Sequence, residues 1–407
     1  MALVSNFPGR NVFRLSVLSV CGIVSAAEAQ ESVSVEHSTL EPSISAEFRY
    51  DDNIFLSATD EQSSLITVLS PRLLAIIKPP RHRMQLSYEG EFASYASSST
   101  DNYDDHDFQA AASFDLGRRG LLDVIGAYRF GHENRGAGLS EGLDPGSGAF
   151  LNEPDEYSRR TFGGRFAYGA TGTRGHLVFE GGRRELEYSN NRDRTRFFDY
   201  DDTYGGATFY LRVMPSTSLL MTVRANSFDY PTDRSLQPSL DSREERYLIG
   251  ATWNVTGKST GTVRFGYVRK RYEDAGRPDF SDTSWEVDVR WSLRSYSHLE
   301  MATSRYPSEV TSATGDVVEN TRYSIAWSHN WTARIITRLA TLHSRRDFRG
   351  SVGARAERYN QHRFTFAYDM RRWLTWEFGV SVGSQNSNID RFNSDVKVVS
   401  LGANLTF

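Results

Sequence analysis

Long segments of this sequence alternate between apolar and polar residues, and the pattern continues to the last residue. In the segment WEVDVRWSL, Trp285, Val287 and Val289 fall on one face, whereas Glu286 and Asp288 fall on the other. A period of two residues predicts β-strands. The mean hydropathy of -0.51 does not argue against a membrane protein, because a barrel strand presents only every second residue to lipid.

The links between these predicted strands are alternately short and long. The eight short links lie near residues 79–82, 117–120, 171–175, 215–217, 256–259, 294–297, 331–334 and 371–373. The nine long and polar links lie near residues 53–63, 96–106, 133–157, 189–202, 230–243, 273–282, 307–320, 345–357 and 384–393. Short periplasmic turns and long extracellular loops are typical of bacterial outer-membrane proteins. The sequence therefore predicts an all-β fold, a closed antiparallel transmembrane β-barrel of about 18 strands in the outer membrane.

A soluble β-propeller is the structural alternative, since strand pairs recur at roughly the length of a propeller blade. A blade requires four short strands in that length, whereas the sequence shows two long ones. Each predicted strand has about ten residues or more, the length that a tilted membrane strand needs. These lengths favour the barrel.

The first thirty residues resemble a secretory signal peptide. Arg10 and Arg14 precede an apolar run over residues 15–27, and the small residues Ala27 and Ala29 follow. The run is too short for a membrane helix, which needs about 20 apolar residues. We therefore predict a signal peptide at 1–29, a short periplasmic segment at 30–42 and the barrel at 43–407.

The predicted mature chain would be acidic and free of cysteine. Cys21 is the only cysteine, and removing Arg10, Arg14 and Glu28 with the signal peptide changes the formal charge from -4 to -5. Disulfides could then not stabilise the barrel. The mild acidity argues against nucleic acid as a partner.

The last segment, VSLGANLTF, alternates and ends on the aromatic Phe407. It resembles the C-terminal signal that the outer-membrane assembly machinery recognises, so we expect that machinery to be a partner.

A second local feature is Pro71, within the apolar run 65–77. Because proline removes a hydrogen bond from the strand ladder, we predict a β-bulge in the second strand.

Charged residues occupy the face opposite the apolar one. Charged side chains are unfavourable towards hydrocarbon, so this face is expected to line the lumen. The lumen-lining candidates are Glu89, Glu91, Arg129, Arg165, Arg224, Arg264, Glu286, Asp288, Arg290, Arg322, Arg338, Arg363, Asp369 and Glu377. The two signs are nearly balanced, which suits a polyhydroxylated solute better than an ion of one charge. Simple pairing across the wall is the alternative interpretation.

The sequence contains no motif that indicates catalysis or a metal site. His298, His329, His343 and His362 fall on different predicted strands, and the H-E-x-x-H spacing does not occur. Acidic and aromatic residues cluster at the predicted outer rim, but their spacing matches no calcium loop. We predict no enzyme activity, no cofactor and no metal, although a triad assembled in space would leave no motif.

The first strands resemble the opening of the outer-membrane family often called beta-barrel porin 2. The chain reads AEFRYDDNIF and then, after a polar loop, LITVLSPRLLAI. The match is carried by Asp51, Asp52, Asn53, Ile54, Phe55, Ser70 and Pro71. The resemblance implies an outer-membrane channel associated with exopolysaccharide synthesis and export, and it implies no catalytic residue.

We therefore predict a channel that exports an exopolysaccharide through a polar lumen. The expected partners are outer-membrane lipid, lipopolysaccharide, periplasmic polysaccharide-export proteins and the polysaccharide itself. A general or solute-specific uptake porin is the first alternative, in which the loop at 133–157 with Gly142, Gly146 and Gly148 folds inward as a constriction. An outer-membrane hydrolase is the second alternative.

Overall fold

One antiparallel sheet accounts for most of the chain. The computed structural model describes residues 33–35, 38–143, 152–169, 173–232, 238–255, 258–309, 317–349 and 355–407. The predicted signal peptide, Gly146 and Gly148 lie outside the described residues. No described helix is both long enough and apolar enough to span a membrane.

Nineteen strands are present among the described residues, and eighteen of them form the barrel. Strand β1 (Val33–Val35) pairs only with the beginning of β2. The first nine barrel strands are β2 (Ser38–Asp51), β3 (Ser64–Ile77), β4 (His82–Tyr95), β5 (Tyr103–Asp115), β6 (Gly120–Glu133), β7 (Asp155–Tyr168), β8 (Gly175–Tyr188), β9 (Tyr200–Met214) and β10 (Thr217–Asp229). The other nine are β11 (Ser242–Val255), β12 (Ser259–Tyr272), β13 (Phe280–Arg294), β14 (Ser297–Ser308), β15 (Val317–Asn330), β16 (Ile335–Arg349), β17 (Arg355–Arg371), β18 (Leu374–Ser387) and β19 (Ser394–Thr406).

Every barrel strand pairs with its neighbours in sequence, and the last strand pairs with the first. The β19–β2 ladder runs from Thr406 opposite Ser43 to Val398 opposite Asp51, so the sheet has no free edge in the barrel. The predicted antiparallel barrel of about 18 strands is therefore confirmed. A barrel of this size leaves room for an aqueous channel.

Large apolar side chains cover the outside of the barrel. Phe162 and Ile249 are each 66% exposed, and Phe265 and Leu86 are also exposed in the middle of their strands. Each neighbour in sequence points to the opposite face, because the strand period is two. The exposed apolar face is the one that contacts lipid, and the alternate face surrounds the lumen.

Pro71 does not produce the predicted bulge. Strand β3 pairs with β4 through Leu69 opposite Phe92 and, three residues on, through Arg72 opposite Glu89. The pairing is interrupted at Ser70 and Pro71, but it resumes in the same register. The prediction of a bulge was wrong because the missing proline N–H removes ladder hydrogen bonds without requiring an inserted residue.

Several short helices lie at the long-loop end. They are the 3-10 helices Ser99–Asp101, Gly138–Ser140, Arg196–Phe198 and Asp390–Phe392 and the single-turn helix α1 (Arg192–Thr195). The strands meet the short turns near the predicted positions, and β2 begins at Ser38, five residues before the predicted barrel boundary at 43. Short turns identify the periplasmic end, so these helices lie at the outer mouth.

Candidate transport lumen

A cavity of about 1000 Å³ occupies the lumen along strands β2–β4 and β11–β19. Eight of the fourteen predicted lumen residues line it: Glu89, Glu91, Asp288, Arg290, Arg322, Arg338, Arg363 and Glu377. Glu47, Arg49 and Glu300 also line it. The cavity wall therefore carries both signs of charge at close range.

The charges of this cavity are separated by strand. Arg322, Arg338 and Arg363 lie on the consecutive strands β15, β16 and β17. The adjoining arc is mainly acidic, with Glu377 on β18 and Glu89 on β4, and its one arginine, Arg49 on β2, pairs with Glu47. A solute in the cavity would therefore have an arginine-rich wall on one side and an acidic wall beside it.

Two of the cavity arginines share one carboxylate. Arg338 Nη2 lies 2.8 Å from Glu300 Oε2, and Arg290 Nη1 lies 3.5 Å from Glu300 Oε1. The side chain of Arg322 forms no hydrogen bond or ion pair with any residue that the structure describes, and it is partly exposed to the cavity. Among these arginines, Arg322 is therefore available to bind a solute group directly.

A second charged cluster lies outside the cavity lining, and its members pair with one another. Glu286 accepts hydrogen bonds from Arg224 (2.6 Å) and Arg264 (3.1 Å). Arg224 also binds Glu180 at 3.1 Å, so the cluster connects β8, β10, β12 and β13. Arg224, Arg264 and Glu286 were lumen candidates, and their contacts indicate that they stabilise the wall.

The remaining three candidates also have partners on their own side of the barrel. Arg165 pairs with Asp123 at 3.2 Å, and Arg129 lies 3.9 Å from a carboxylate oxygen of Asp107. Asp369 accepts a hydrogen bond from Thr375 at 2.7 Å near the periplasmic end. None of the three lines the cavity.

The β6–β7 loop folds into the outer mouth and reaches the opposite wall. Glu141 accepts hydrogen bonds from Arg346 Nη2 on β16 at 2.9 Å and from Arg355 Nη2 on β17 at 2.5 Å. Gln385 on β18 donates to the same carboxylate at 2.9 Å. Residues 134–143 therefore form an inward loop, as the uptake alternative predicted for this segment.

The ion cluster that holds the inward loop is buried. The side chains of Arg346 and Arg355 are 5% and 1% exposed, and both also pair with Glu357, whose side chain is fully buried. Burial raises the pKa of the Glu141 carboxyl, but Arg346 and Arg355 outweigh it and leave this pKa below its ordinary value. Glu141 is thus held ionised by its partners.

The inward loop also depends on the backbone of Gly136. This residue adopts φ +83°, in the left-handed region that favours glycine. A Cβ atom at this position would lie 1.7 Å from the carbonyl oxygen of Phe55. Any larger residue would therefore separate the inward loop from the first outer loop.

Five residues of the predicted family motif explain why the first outer loop also folds inward. Asn53 is fully buried, and its Nδ2 donates to the carbonyl oxygens of Ser57 and Asp395 at 2.9 Å each. Asp51 accepts the backbone N–H of Asn53, and Asp52 accepts that of Lys397. These contacts fasten the loop to the junction of β2 and β19.

The two apolar residues of the motif enter the interior beside this junction. Ile54 and Phe55 pack against Ile66, Val68 and Tyr95 inside the outer half of the barrel. Phe55 also carries the guanidinium of Arg135 over its ring. The motif therefore has a structural role at the mouth, and Ser70 at its other end lines the cavity.

Another buried ion pair fills the mouth on the side of β12. Lys270 is buried, pairs with Glu309 and lies 4.7 Å from the centroid of the Phe228 ring. Tyr230 donates to the same carboxylate at 2.8 Å. Its burial and, to a smaller extent, the charge of Glu309 raise the pKa of Tyr230 well above its ordinary value. Sequence reasoning missed these residues because they occupy strand ends and loops, where the alternation ends.

The four histidines lie on four different strands, β14 to β17. His343 Nδ1 lies 2.7 Å from Asn360 Oδ1, and His362 Nδ1 lies 3.1 Å from Thr341 Oγ1. His329 contacts aromatic rings, and the described residues contain no group of three or more His, Cys, Asp or Glu that could hold a metal ion.

Comparison with known families identifies the barrel. The family model described as "Putative beta-barrel porin 2" matches residues 37–407. The chain belongs to this family. It is therefore a porin-like barrel of the bacterial outer membrane, and the predicted family and localisation are confirmed. Comparison with curated proteins gives no match.

Two similar solved structures come from Pseudomonas aeruginosa. The crystal structure of OpdK with vanillate is 11% identical, with a TM-score of 0.50 over 90% of this chain and 99% of that chain. OprD is 10% identical, with a TM-score of 0.46 over 94% of this chain and 97% of that chain. At 11% identity, the likeness to OpdK shows that this porin 2 family member shares the barrel fold.

Proposed function

We propose that this porin is a selective channel for a small hydrophilic solute. The observation that carries the proposal is the inward loop at 134–143, which crosses the outer mouth and binds the opposite wall through Glu141, Arg346 and Arg355. Beneath it, the cavity of about 1000 Å³ suits a small molecule. Charged and hydroxyl side chains line this cavity, which favours a polar solute.

The charge distribution narrows the solute class. Arg322 has an unpaired guanidinium among the described residues, and Glu89 and Glu377 expose carboxylates to the same cavity. A small solute with both an anionic and a cationic group can contact both walls at once. We therefore expect zwitterions to pass faster than sugars of similar size, because electrostatic complementarity raises the encounter rate.

Export of an exopolysaccharide is the second candidate, and the family resemblance favours it. A polymer would require the inward loop to leave the mouth, which would expose and separate a buried ion cluster. Separating such a cluster is strongly unfavourable. The narrowed mouth thus favours the solute channel, and the periplasmic export partners belong only to the second candidate.

Permeability measurements separate the two candidates. Purified protein in liposomes would be tested by swelling with glycine, glutamate, arginine, glucose and a long dextran. The solute channel predicts swelling with the small solutes, fastest for glycine, and none with dextran. Arg322→Gln should slow glutamate and glycine more than glucose, whereas Arg358→Gln, an exposed residue at the outer end of β17, serves as the matched control.

A strain that lacks the gene tests export directly. Loss of extracellular polymer, restored by the intact gene, would support export and contradict the solute channel as the main function. Unchanged polymer together with selective swelling would support the solute channel. Equal permeability for all small solutes would contradict the proposed selectivity, and the protein would then be a general porin.

A further inference from the structure

The eight periplasmic turns carry only positive charge. Between the strand ends they contain eight Lys and Arg residues and no Asp or Glu. These cations are Lys78, Arg81, Arg118, Arg119, Arg174, Lys258, Arg334 and Arg372. Six of the eight turns contribute at least one. At the flanking strand ends, Arg294 of β13 adds a cation beside a seventh turn, and Asp115 of β5 adds one carboxylate, which accepts the Gly117 N–H.

The outer loops have the opposite composition. The nine segments between the strand ends at the outer mouth contain seventeen Asp and Glu against seven Lys and Arg. The positive charge of the periplasmic turns is therefore not a general property of the connections in this chain. It distinguishes one end of the barrel from the other.

The eight cations are exposed, and their side chains lack partners among the described residues. None of their side chains forms a hydrogen bond or an ion pair with the residues that the structure describes. Arg118 and Arg119 are adjacent and both exposed, as are Arg334 and Arg372 in their turns. By contrast, the arginines of the lumen wall and the outer mouth mostly pair with carboxylates, as Arg224 does with Glu286.

Exposed aromatic residues place these cations relative to the membrane. Trp331 is 58% exposed and lies three residues before Arg334, and Trp373 is 51% exposed and follows Arg372 directly. Tyr296 is also exposed, in the turn after Arg294. Tryptophan and tyrosine are enriched at membrane interfaces, where they lie at the level of the lipid headgroups. The cations are therefore within reach of the phosphates of the inner leaflet.

We propose that the periplasmic turns form a binding surface for anionic phospholipid headgroups. The surface consists of the eight turn cations named above together with the aromatic residues beside them. A guanidinium can bind two phosphate oxygens at once, and lysine contributes a point charge. Anionic lipids such as phosphatidylglycerol should therefore surround the periplasmic rim in preference to lipids without net charge.

Spin-labelled lipids test this surface in the intact barrel. The full protein would be placed in phosphatidylcholine vesicles that contain a trace of spin-labelled phosphatidylglycerol or spin-labelled phosphatidylcholine, and electron paramagnetic resonance would give the immobilised fraction of each. At low salt, we expect the immobilised fraction of phosphatidylglycerol to be about five times that of phosphatidylcholine. The attraction of one Lys or Arg to an anionic membrane surface corresponds to about this ratio. High salt should reduce the preference.

Two sets of variants locate the preference. Arg118→Gln with Arg119→Gln, Arg334→Gln and Arg372→Gln should lower the ratio towards one. Arg196→Gln with Arg358→Gln removes exposed cations from the outer end and should leave the ratio unchanged. The shift in electrophoretic mobility on heating, which reports a folded barrel, would show that each variant is folded.

Any of three results would overturn the proposal. The first is equal immobilisation of both lipids by the unaltered protein, and the second is an unchanged ratio in the quadruple variant. The third is binding of an anionic polysaccharide such as alginate to the detergent-solubilised protein, lost in the quadruple variant, without any lipid preference. That outcome would assign the cations to a polymer entering from the periplasm.

Discussion

The two ends of this barrel differ in how they hold charge. At the outer mouth, Arg355 and Lys270 are withdrawn from water and paired with Glu141, Glu357 or Glu309. At the periplasmic rim, the cations of the turns are exposed and have no partner among the described residues. A buried ion must keep its partner to remain charged, so the outer charges determine the shape of the mouth. The exposed charges determine nothing in the fold and remain available to an external partner.

The largest expected effect tests the outer side of this comparison. Glu141→Ala leaves Arg346 and Arg355 with less compensating charge, which should cost about 3–5 kcal/mol and release the inward loop. Single-channel conductance in planar bilayers should then rise severalfold. Glu153→Ala removes an exposed carboxylate from the same inter-strand connection and serves as the control. Unchanged conductance in Glu141→Ala would show that residues 134–143 do not close the mouth.

A somewhat smaller effect is expected at the junction of β2 and β19. Asn53→Ala removes the donor to Ser57 and Asp395 and should lower the free energy of unfolding by about 2–4 kcal/mol. Urea unfolding in lipid vesicles, followed by tryptophan fluorescence, measures the loss. Gln62→Ala in the same loop should have little effect, and equal losses would contradict the special role of Asn53.

Acid should break the contacts of Glu141 only below the usual pKa range of a glutamate. The folded-state pKa of Glu141 lies below its ordinary value of 4.5. The stabilisation that the ionised carboxylate gives to the folded state is therefore fully present above pH 4.5, and it is lost as the pH falls through the folded-state pKa. Conductance should therefore increase as the pH falls to about 3. Glu141→Gln should lack this transition near pH 3, and an unchanged transition near pH 3 in this variant would contradict the assignment.

The smallest effect is expected at the periplasmic rim. Arg118→Gln with Arg119→Gln should change the free energy of unfolding by less than about 0.5 kcal/mol in vesicles of phosphatidylcholine, because exposed substitutions without partners have little effect on folding. A loss of the size expected for Glu141→Ala would contradict the contrast between the two ends. The same urea titration as for Asn53→Ala provides the measurement.

The strands and the faces of their side chains could be predicted from the sequence because the relevant pattern is local. Alternation over ten residues is enough to assign Asp288 and Arg290 to the same face. The charge pairs could not be predicted in this way. Arg355 is 214 residues from Glu141, and Arg224 meets Glu286 three strands away, so both pairs depend on the registers of several ladders.

The closure of the outer mouth was only partly predictable. The length of the loop at 133–157 and its glycines suggested an inward constriction, but no local pattern indicated its anchors on β16, β17 and β18. The Pro71 prediction failed for a related reason. A proline in the sequence shows only that one backbone N–H donor is missing. Whether the register of the neighbouring strand shifts depends on the ladder as a whole.

The ladder between β19 and β2 has a consequence for the persistence of the folded state. It joins the two ends of the chain along only nine residues of each strand, and the ladder between β17 and β18 is longer. A closed sheet cannot peel from an edge, so unfolding must begin by opening one ladder laterally. Asn53 donates a hydrogen bond to the carbonyl oxygen of Asp395 across this junction and so stabilises the pairing of the two strands. The lifetime of the barrel against spontaneous opening should therefore depend on this short ladder, together with the equally short ladder between β13 and β14.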